Sequence, residues 1–279
     1  MKGAHQPTCE DYQQAFQRVD EVVARIERFQ VQPDFPSAVT GRSKATTRLD
    51  LADDAVLKML VELIAYSNNA KSDAVGRVVH SGIFDTIFDH YDVQKAARLD
   101  SDRIIEEYWP QIKSIRFKHK IARMIECANC LLDIRSRHGS FMRYLGAQNI
   151  PVTIQTTVDL DCFWKGFDAV KADFKQMNMP YLKNFTTLCH MFLELGYDCA
   201  KPDSAVMKTA VDLQIVPPSK RKNRTFPDRD YRQVVQFMQR YAMCRGIRVA
   251  VVDLYFLIHG EQRDATKYVQ STYYHGGTM

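Results

Sequence analysis

Met179-Pro180-Tyr181-Leu182-Lys183-Asn184-Phe185-Thr186-Thr187 decides how this chain is read. The stretch is a tight turn that enters an apolar helix. The next helix opens at Lys201-Pro202-Asp203-Ser204-Ala205-Val206, and Asp203 lies 23 positions after Pro180. By itself Asp203 is an ordinary helix N-cap, because its carboxylate accepts hydrogen bonds from the first free amides of a helix.

Outward from that pair the dominant period is helical. Tyr12, Phe16, Val19, Val23, Ile26 and Phe29 recur at three- and four-residue steps, the pattern of one buried helix face. Thr8, three residues before Asp11, makes an N-cap arrangement. Pro33-Asp34-Phe35-Pro36 stops that helix, and a polar, basic loop follows from Thr40 to Arg48. A helix from Asp53 to Tyr66 turns Leu57, Leu60, Val61 and Ile64 inward and is interrupted by Ser67-Asn68-Asn69. Shorter helices are punctuated by Gly76, Gly82, Asp92, Asp100 and Pro110. A long helix, Ile115 to Arg137, carries Ile121, Ile125, Ala128 and Leu132 on one face, and Gly139 closes it. Ile150 to Thr157 is a β-branched run that reads as a short extended connection. Helices resume through Val170 and Phe174, then over Leu182 to Leu195 and Asp203 to Ile215, where Pro217-Pro218 stops them. Two more lie near Asp228 to Cys244 and Ile247 to His259. The expected fold class is all-α, with many short helices and compact turns.

At 279 residues the chain can bury a sizeable core, as one large domain or two. An apolar content of 46% excludes wholesale disorder. The net charge of +5 permits a polyanionic partner without demanding one. No run of about twenty apolar residues is present, so no membrane-spanning helix is expected. The polar start, Met1 to Glu10, has no apolar signal core, and the expected location is the bacterial cytoplasm, at the nucleoid, or otherwise intracellular. Seven cysteines, at 9, 127, 130, 162, 189, 199 and 244, stand mostly in apolar helical surroundings and read as buried reduced thiols. Cys127-Ala128-Asn129-Cys130 lacks a second ligand pair, so it reads as core packing rather than a metal or redox site.

Four segments, in order, resemble the helix-hairpin-helix DNA glycosylases (the endonuclease III and 3-methyladenine glycosylase branches). Leu63-Ile64-Ala65-Tyr66-Ser67-Asn68-Asn69-Ala70 resembles the family's helix end and DNA-approaching loop. Ile115-Arg116-Phe117-Lys118-His119-Lys120-Ile121 resembles its Gly-Phe-x-x-x-Lys-Ala entry into the central helix, with Ile115 at the glycine position. The hairpin at Met179-Pro180 and the helix opened by Asp203 complete the set, which covers roughly residues 50 to 215. Phe88-Asp89-His90-Tyr91-Asp92 has a looser likeness to the 3-methyladenine branch. The family hairpin reads Leu-Pro-Gly-x-Gly, so that its amides close on a phosphate. Here Tyr181 and Lys183 stand at the glycine places, which leaves an altered turn or a grip through the Lys183 ammonium. Phe185 stands where bifunctional members carry a Schiff-base lysine, and a phenyl ring cannot form an imine. The family's four-cysteine cluster loop is absent, so no iron–sulfur cluster and no other cofactor or metal is implied.

The resemblance implies a two-lobed fold with a cleft between lobes. Residues 1–50 would form an N-terminal helix and linker that pack with the C-terminal lobe. Residues 51–200 would form the central lobe, including the hairpin at 179–187, and 201–279 the C-terminal lobe. Asp203 would stabilise the sugar cation that builds up as an N-glycosidic bond breaks, and orient the attacking water. Such enzymes extrude their target nucleotide. Asn69 matches the wedge that fills the gap, although a helix C-cap is its plainer reading. Tyr66, Phe117, Trp164 and Tyr181 are candidates to stack on the flipped base, against the ordinary reading of core aromatics. Lys183, Asn184 and Thr186 of the hairpin, and Lys220, Arg221, Lys222 and Arg224 of the basic run beyond it, are candidate DNA-backbone contacts, against a plain solvated loop. The leading expectation is a monomeric, monofunctional DNA glycosylase that excises a damaged or modified base from double-stranded DNA and leaves an abasic site. The base could be alkylated, deaminated, oxidised or hypermodified as in phage genomes. Alternatives are a non-catalytic helix-hairpin-helix DNA-binding protein and a helical protein-interaction module.

Overall fold

A computed structural model describes residues 9–29, 34–44, 48–68, 70–221 and 225–261, and every regular element among them is helical. The all-α expectation is met. A 3-10 turn, Glu10–Tyr12, leads into α1 (Gln13–Phe29), followed by α2 (Asp34–Ser43), α3 (Asp53–Tyr66), α4 (Ser72–His80), α5 (Ile83–Ile87), α6 (Val93–Ala96) and α7 (Ser101–Ile112). A second 3-10 turn, Lys113–Ile115, precedes α8 (His119–His138). The chain continues with α9 (Phe141–Gly146), α10 (Thr157–Gln176), α11 (Phe185–Glu194), α12 (Ser204–Asp212), α13 (Asp228–Arg245) and α14 (Val249–Glu261). No helix among the described residues is long and apolar enough to cross a membrane.

The chain divides into two units. The first takes in the described residues of 1–47, 151–164 and 192–279, and the second those of 48–150 and 165–191. The helices α10 and α11 each carry residues of both.

In the first unit α14 is apolar on all sides and is buried from Val249 to Ile258, as a helix enclosed by others must be. It packs against α1, α2, α12 and α13. The approach to α12 is so close that a Cβ on Gly260 would meet the Ala205 carbonyl oxygen. Thr209 on α12 donates its hydroxyl to the Phe256 carbonyl at 2.6 Å. Helix α1 buries Phe16, Val19, Val22 and Ile26. Val22, not Val23, completes its inner face, and Val23 is half-buried. Phe16 stacks edge-on against Phe237 and Tyr241 of α13, and Asp20 accepts from Tyr241 and Arg245. Cys9 is disulfide-bonded to Cys244, with 6.2 Å between Cα atoms. That corrects the expectation of reduced thiols for this pair. Cys162 is exposed, while Cys127, Cys189 and Cys199 are buried thiols outside any disulfide.

The β-branched run forms no strand. Its residues are held by Asp198, whose amide donates to the Val152 carbonyl at 2.7 Å and whose carboxylate accepts from the Ile154 amide at 3.0 Å. Arg248 closes the same carboxylate at 2.6 Å.

In the second unit α8 is central and packs against α3, α6, α7 and α9. Asp92 and Asp100 cap α6 and α7 as their positions imply, each carboxylate accepting two backbone amides. Several helix boundaries differ from the sequence reading. Residues 34–43 are helical, so Pro36 sits inside a first turn, where a missing amide hydrogen costs little, and Thr40 to Ser43 are not a loop. Gly76 and Pro110 lie within α4 and α7 rather than between helices. Pro110 is exposed, so water can satisfy the carbonyl it leaves unpaired. The helix expected from Ile115 starts at His119, and Leu131 rather than Leu132 occupies its core face. Gly139 ends it with φ 85, as expected.

Candidate nucleic-acid interface

The turn between α10 and α11 is built by backbone rules that the sequence carries openly. Asn178 adopts the left-handed conformation (φ 54) just past α10. Its amide donates to the Lys175 carbonyl at 3.1 Å, and the Met179 amide reaches back to the Phe174 carbonyl at 2.8 Å. This pair of bonds is a Schellman motif with Asn at the left-handed position. Pro180 follows at the point where the helix cannot continue. Tyr181 then takes φ 60, the region that favours glycine and costs an L-residue about 1–2 kcal/mol. The first glycine place of the family hairpin therefore keeps a glycine-like backbone with a tyrosine on it. Lys183, at the second glycine place, has no positive φ. The Asn184 amide returns to the Tyr181 carbonyl at 2.9 Å, and α11 begins at Phe185 rather than at Leu182.

Met179, Leu182 and Phe185 point inward. Phe185 is 3% exposed and packs on Phe167 with the Lys171 ammonium over its ring. Lys183 and Asn184 are exposed and Thr186 is half-buried. The Lys183 ammonium donates to the Asn178 side chain at 2.6 Å and so braces its own turn.

Two further resembling segments meet this turn inside the second unit. The Tyr181 hydroxyl accepts from Asn68 at 3.3 Å, and the Asn68 carbonyl accepts from Arg116 at 3.2 Å. Lys120 is fully buried, and its ammonium donates to the carbonyls of Ala65 and Ser67 at 2.8 and 2.7 Å. It thereby satisfies the orphan carbonyls at the end of α3. Desolvation, with a smaller push from Arg116, brings Lys120 down to about 8. The left-handed backbone of this segment falls on Arg116 (φ 80), one residue after Ile115, which is buried. Tyr66 and Phe117 are half-buried. Burial, reinforced by Glu62, pushes the Tyr66 phenol up to about 12, so it stays a neutral donor. The Arg116 guanidinium lies over the Phe117 ring, and the His119 ring stacks on Phe117. Asn69, the wedge candidate, lies outside the described residues.

The remaining candidates belong to the first unit. Asp203 is the N-cap of α12. Its Oδ1 accepts from the amides of Ala205 and Val206 at 3.0 and 3.2 Å, and its Oδ2 faces the Lys201 ammonium at 3.9 Å. The capping reading is thus correct as structure, and it fixes the carboxylate while leaving it 28% exposed. Trp164 is 4% exposed, donates to Gln239 at 2.9 Å and carries the Arg232 guanidinium over its ring at 4.6 Å. It is a core residue and not a stacking platform, a correction to the base-contact expectation. Lys220 and Arg221 are exposed, whereas Lys222 and Arg224 lie outside the described residues.

Sequence reasoning passed over two groups. Lys113, Arg116, Lys118, His119 and Arg123 are all exposed around the start of α8, and the run 113–123 contains no acid. Their density was the available signal. Lys118 also lies over the half-buried Trp109 ring. The second group is Arg42 and Asp253, both buried, 3.2 Å apart, beneath the turn that leads to Asp203. A lone acid in the apolar run Val249 to Ile258 was the signal there.

Cys127 packs in the core beside the Pro180 carbonyl, and burial, foremost, keeps its thiol well above the usual range and pushes Cys130 up to about 11. No group of three His, Cys, Asp or Glu residues able to hold a metal is found among the described residues. A polar pocket of about 420 Å³ lies near the ends of α8 and α10, lined by Asp133, Arg137, His138, Tyr144 and Asp173 among others, and contains none of the candidates. Compared with protein-family models, with curated proteins and with solved structures, the chain finds no match.

Proposed function

We propose that this protein is a monofunctional DNA glycosylase of the helix-hairpin-helix kind. The observation that carries the reading is convergence. Three separated segments that resemble the family, 63–70, 115–121 and 179–187, meet through Asn68, Arg116, Lys120 and Tyr181. The glycine-like backbone at Tyr181 supports the same reading, because a turn retained without its glycine points to a geometry under demand.

In this reading the turn and the basic run before α8 hold the DNA backbone, with Lys113, Arg116, Lys118 and Lys183 near phosphates. The 67–70 loop approaches the extruded nucleotide. Tyr66, Phe117 and Tyr181 are the aromatic residues left to contact the base. The bond from sugar C1′ to the base nitrogen breaks, the base leaves with a proton, and water adds at C1′. Asp203 opposes the charge that develops on the sugar. Its capping bonds hold it in one orientation. Phe185 replaces the amine needed for strand cleavage, so the product is an intact strand with an abasic site.

The test is mass spectrometry of bases released from duplexes carrying alkylated, deaminated, oxidised and hypermodified bases. Release that drops by orders of magnitude in a folded Asp203→Asn protein supports the reading, and full activity in that variant removes Asp203 from it. A second reading, DNA binding without chemistry, is favoured by the engagement of both Asp203 oxygens within the protein. Tight duplex binding with no abasic product from any substrate would select it.

A further inference from the structure

The geometry points to Asp253, clamped by Arg42, as the positioning residue that aims Asp203 through the Lys201 backbone. This inference rests on the glycosylase reading for its chemistry, but not for its geometry.

The approach to α12, Ala200-Lys201-Pro202-Asp203, has no ladder and no helix to hold it. The Lys201 amide donates instead to Asp253 Oδ1 at 3.0 Å, and the Asp203 amide turns back to the Lys201 carbonyl at 2.7 Å. Asp253 is fully buried on α14, and its other oxygen takes the Arg42 guanidinium at 3.2 Å. Arg42, 3% exposed on α2, also donates to the Ala250 carbonyl at 2.7 Å and is thereby locked against α14. An ionised side chain is buried at this cost only where its partners are fixed. The partners here are fixed on three elements, and the chain they hold ends two residues later at the half-buried Asp203 carboxylate.

The charges around Asp253 balance. Arg42 from α2 and Lys201 from the turn stand against Asp253 itself and Asp203. The other packed helices aim their charges elsewhere. Helix α12 presents Asp212 and Lys208 to His259, and α1 presents Arg25 to His259 and Glu27 to Tyr255. Arg245 of α13 pairs with Asp20. Burial, foremost, pushes the Asp253 carboxyl up to about 6; Arg42 pulls it down and the Asp203 charge pushes it further up. Below that pH Arg42 loses its counter-ion and the Lys201 amide keeps a poorer acceptor, so the aim of Asp203 loosens.

Two measurements on the full chain test this. In the first, the Asp253 carboxyl ¹³C resonance is followed against pH in the wild type and in Asp203→Asn. A midpoint that moves down in the variant supports the coupling, and an unmoved one overturns the proposal, whether or not any base is ever released. In the second, base release from the modified duplexes is followed from pH 5 to 8. Wild-type release should fall as pH drops through 6. In Asp253→Asn that inflection should vanish and release at pH 7.5 should fall at least tenfold, with affinity for abasic-site DNA unchanged. A retained inflection, or wild-type release in the variant, overturns the proposal. If Asp253→Asn does not fold, the Asp203→Asn midpoint and the wild-type profile decide, since neither alters the core. If the folded wild type releases no base, the glycosylase reading fails separately, and the clamp stands or falls on the midpoint alone.

Discussion

Lys120 is the residue whose loss the second unit should feel most. Its ammonium closes the end of α3 from within the core, with two carbonyl partners. Lys120→Met should lower stability by about 2–3 kcal/mol, because two buried acceptors lose a charged donor; urea denaturation at pH 7 measures it. The pH dependence has a definite sign. The folded protein holds Lys120 near 8, below the 10.5 of a lysine in water, so the unfolded chain binds more protons between those values. Stability from this group therefore rises with pH between about 8 and 10.5. That rise should be missing from Lys120→Met. Asp253 acts in the opposite direction. Its carboxyl is raised from 3.8 to about 6, so the folded protein binds more protons across that window and this group's contribution falls as pH climbs through it. A thermal-unfolding series in which wild type and Asp253→Asn differ by a constant amount from pH 4 to 6 would contradict that. Both residues explain what the sequence shows and hides. Lys120 stood in a quoted motif, since a basic residue at a helix start is visible in one dimension. The partners of Asp253 were not visible, because Arg42 lies 211 positions away in a segment that two prolines made look like a loop.

Among elements, the pair α12 and α14 is the tightest-set. A methyl group on Gly260 would reach the Ala205 carbonyl oxygen, a backbone atom that cannot swing aside. Gly260→Ala should therefore cost about 1–3 kcal/mol by forcing the helices apart, read as a lower denaturation midpoint. Because Ala205 donates its amide to Asp203, the same change should disturb the cap more than the fold. Most helices were legible. The bounds of α3 follow from its period and the polar triplet after it, and the α10–α11 turn follows from Asn178 and Pro180. Helix α2 was hidden because Pro36 is tolerated in a first turn, and the start of α8 because Lys113–Ile115 is a 3-10 turn rather than α-helix. The left-handed Tyr181 was beyond reading, since sequence preference opposes it. Trp164 was misread for the opposite reason. Its size and place near matched helices favoured a base contact, and the polar partner that buries it, Gln239, sits 75 positions away.

At the scale of the whole molecule the two units carry separate basic surfaces, and they can be assayed apart. Neutralising Lys113, Lys118 and Lys183 together should flatten the salt dependence of duplex binding by about 2–3 in slope, roughly one per phosphate released. Neutralising Lys220 and Arg221 tests the first unit in the same way. An unchanged slope in either variant leaves that cluster as a solvated face. Borohydride should trap no protein–DNA adduct during turnover; efficient trapping lost in Lys183→Ala or Lys171→Ala would show an amine serving in place of Phe185. One last feature lies within the first unit, which holds both cysteines of the disulfide. The bond between Cys9 and Cys244 turns nearly the entire chain into a covalent ring. Ring closure of this length restricts the denatured chain by about 5 kcal/mol in the chain-entropy picture. A ring also survives a single break. A protease that nicks the backbone once between those cysteines should yield a protein that runs as one species on a denaturing gel and parts into two fragments only when a thiol is added.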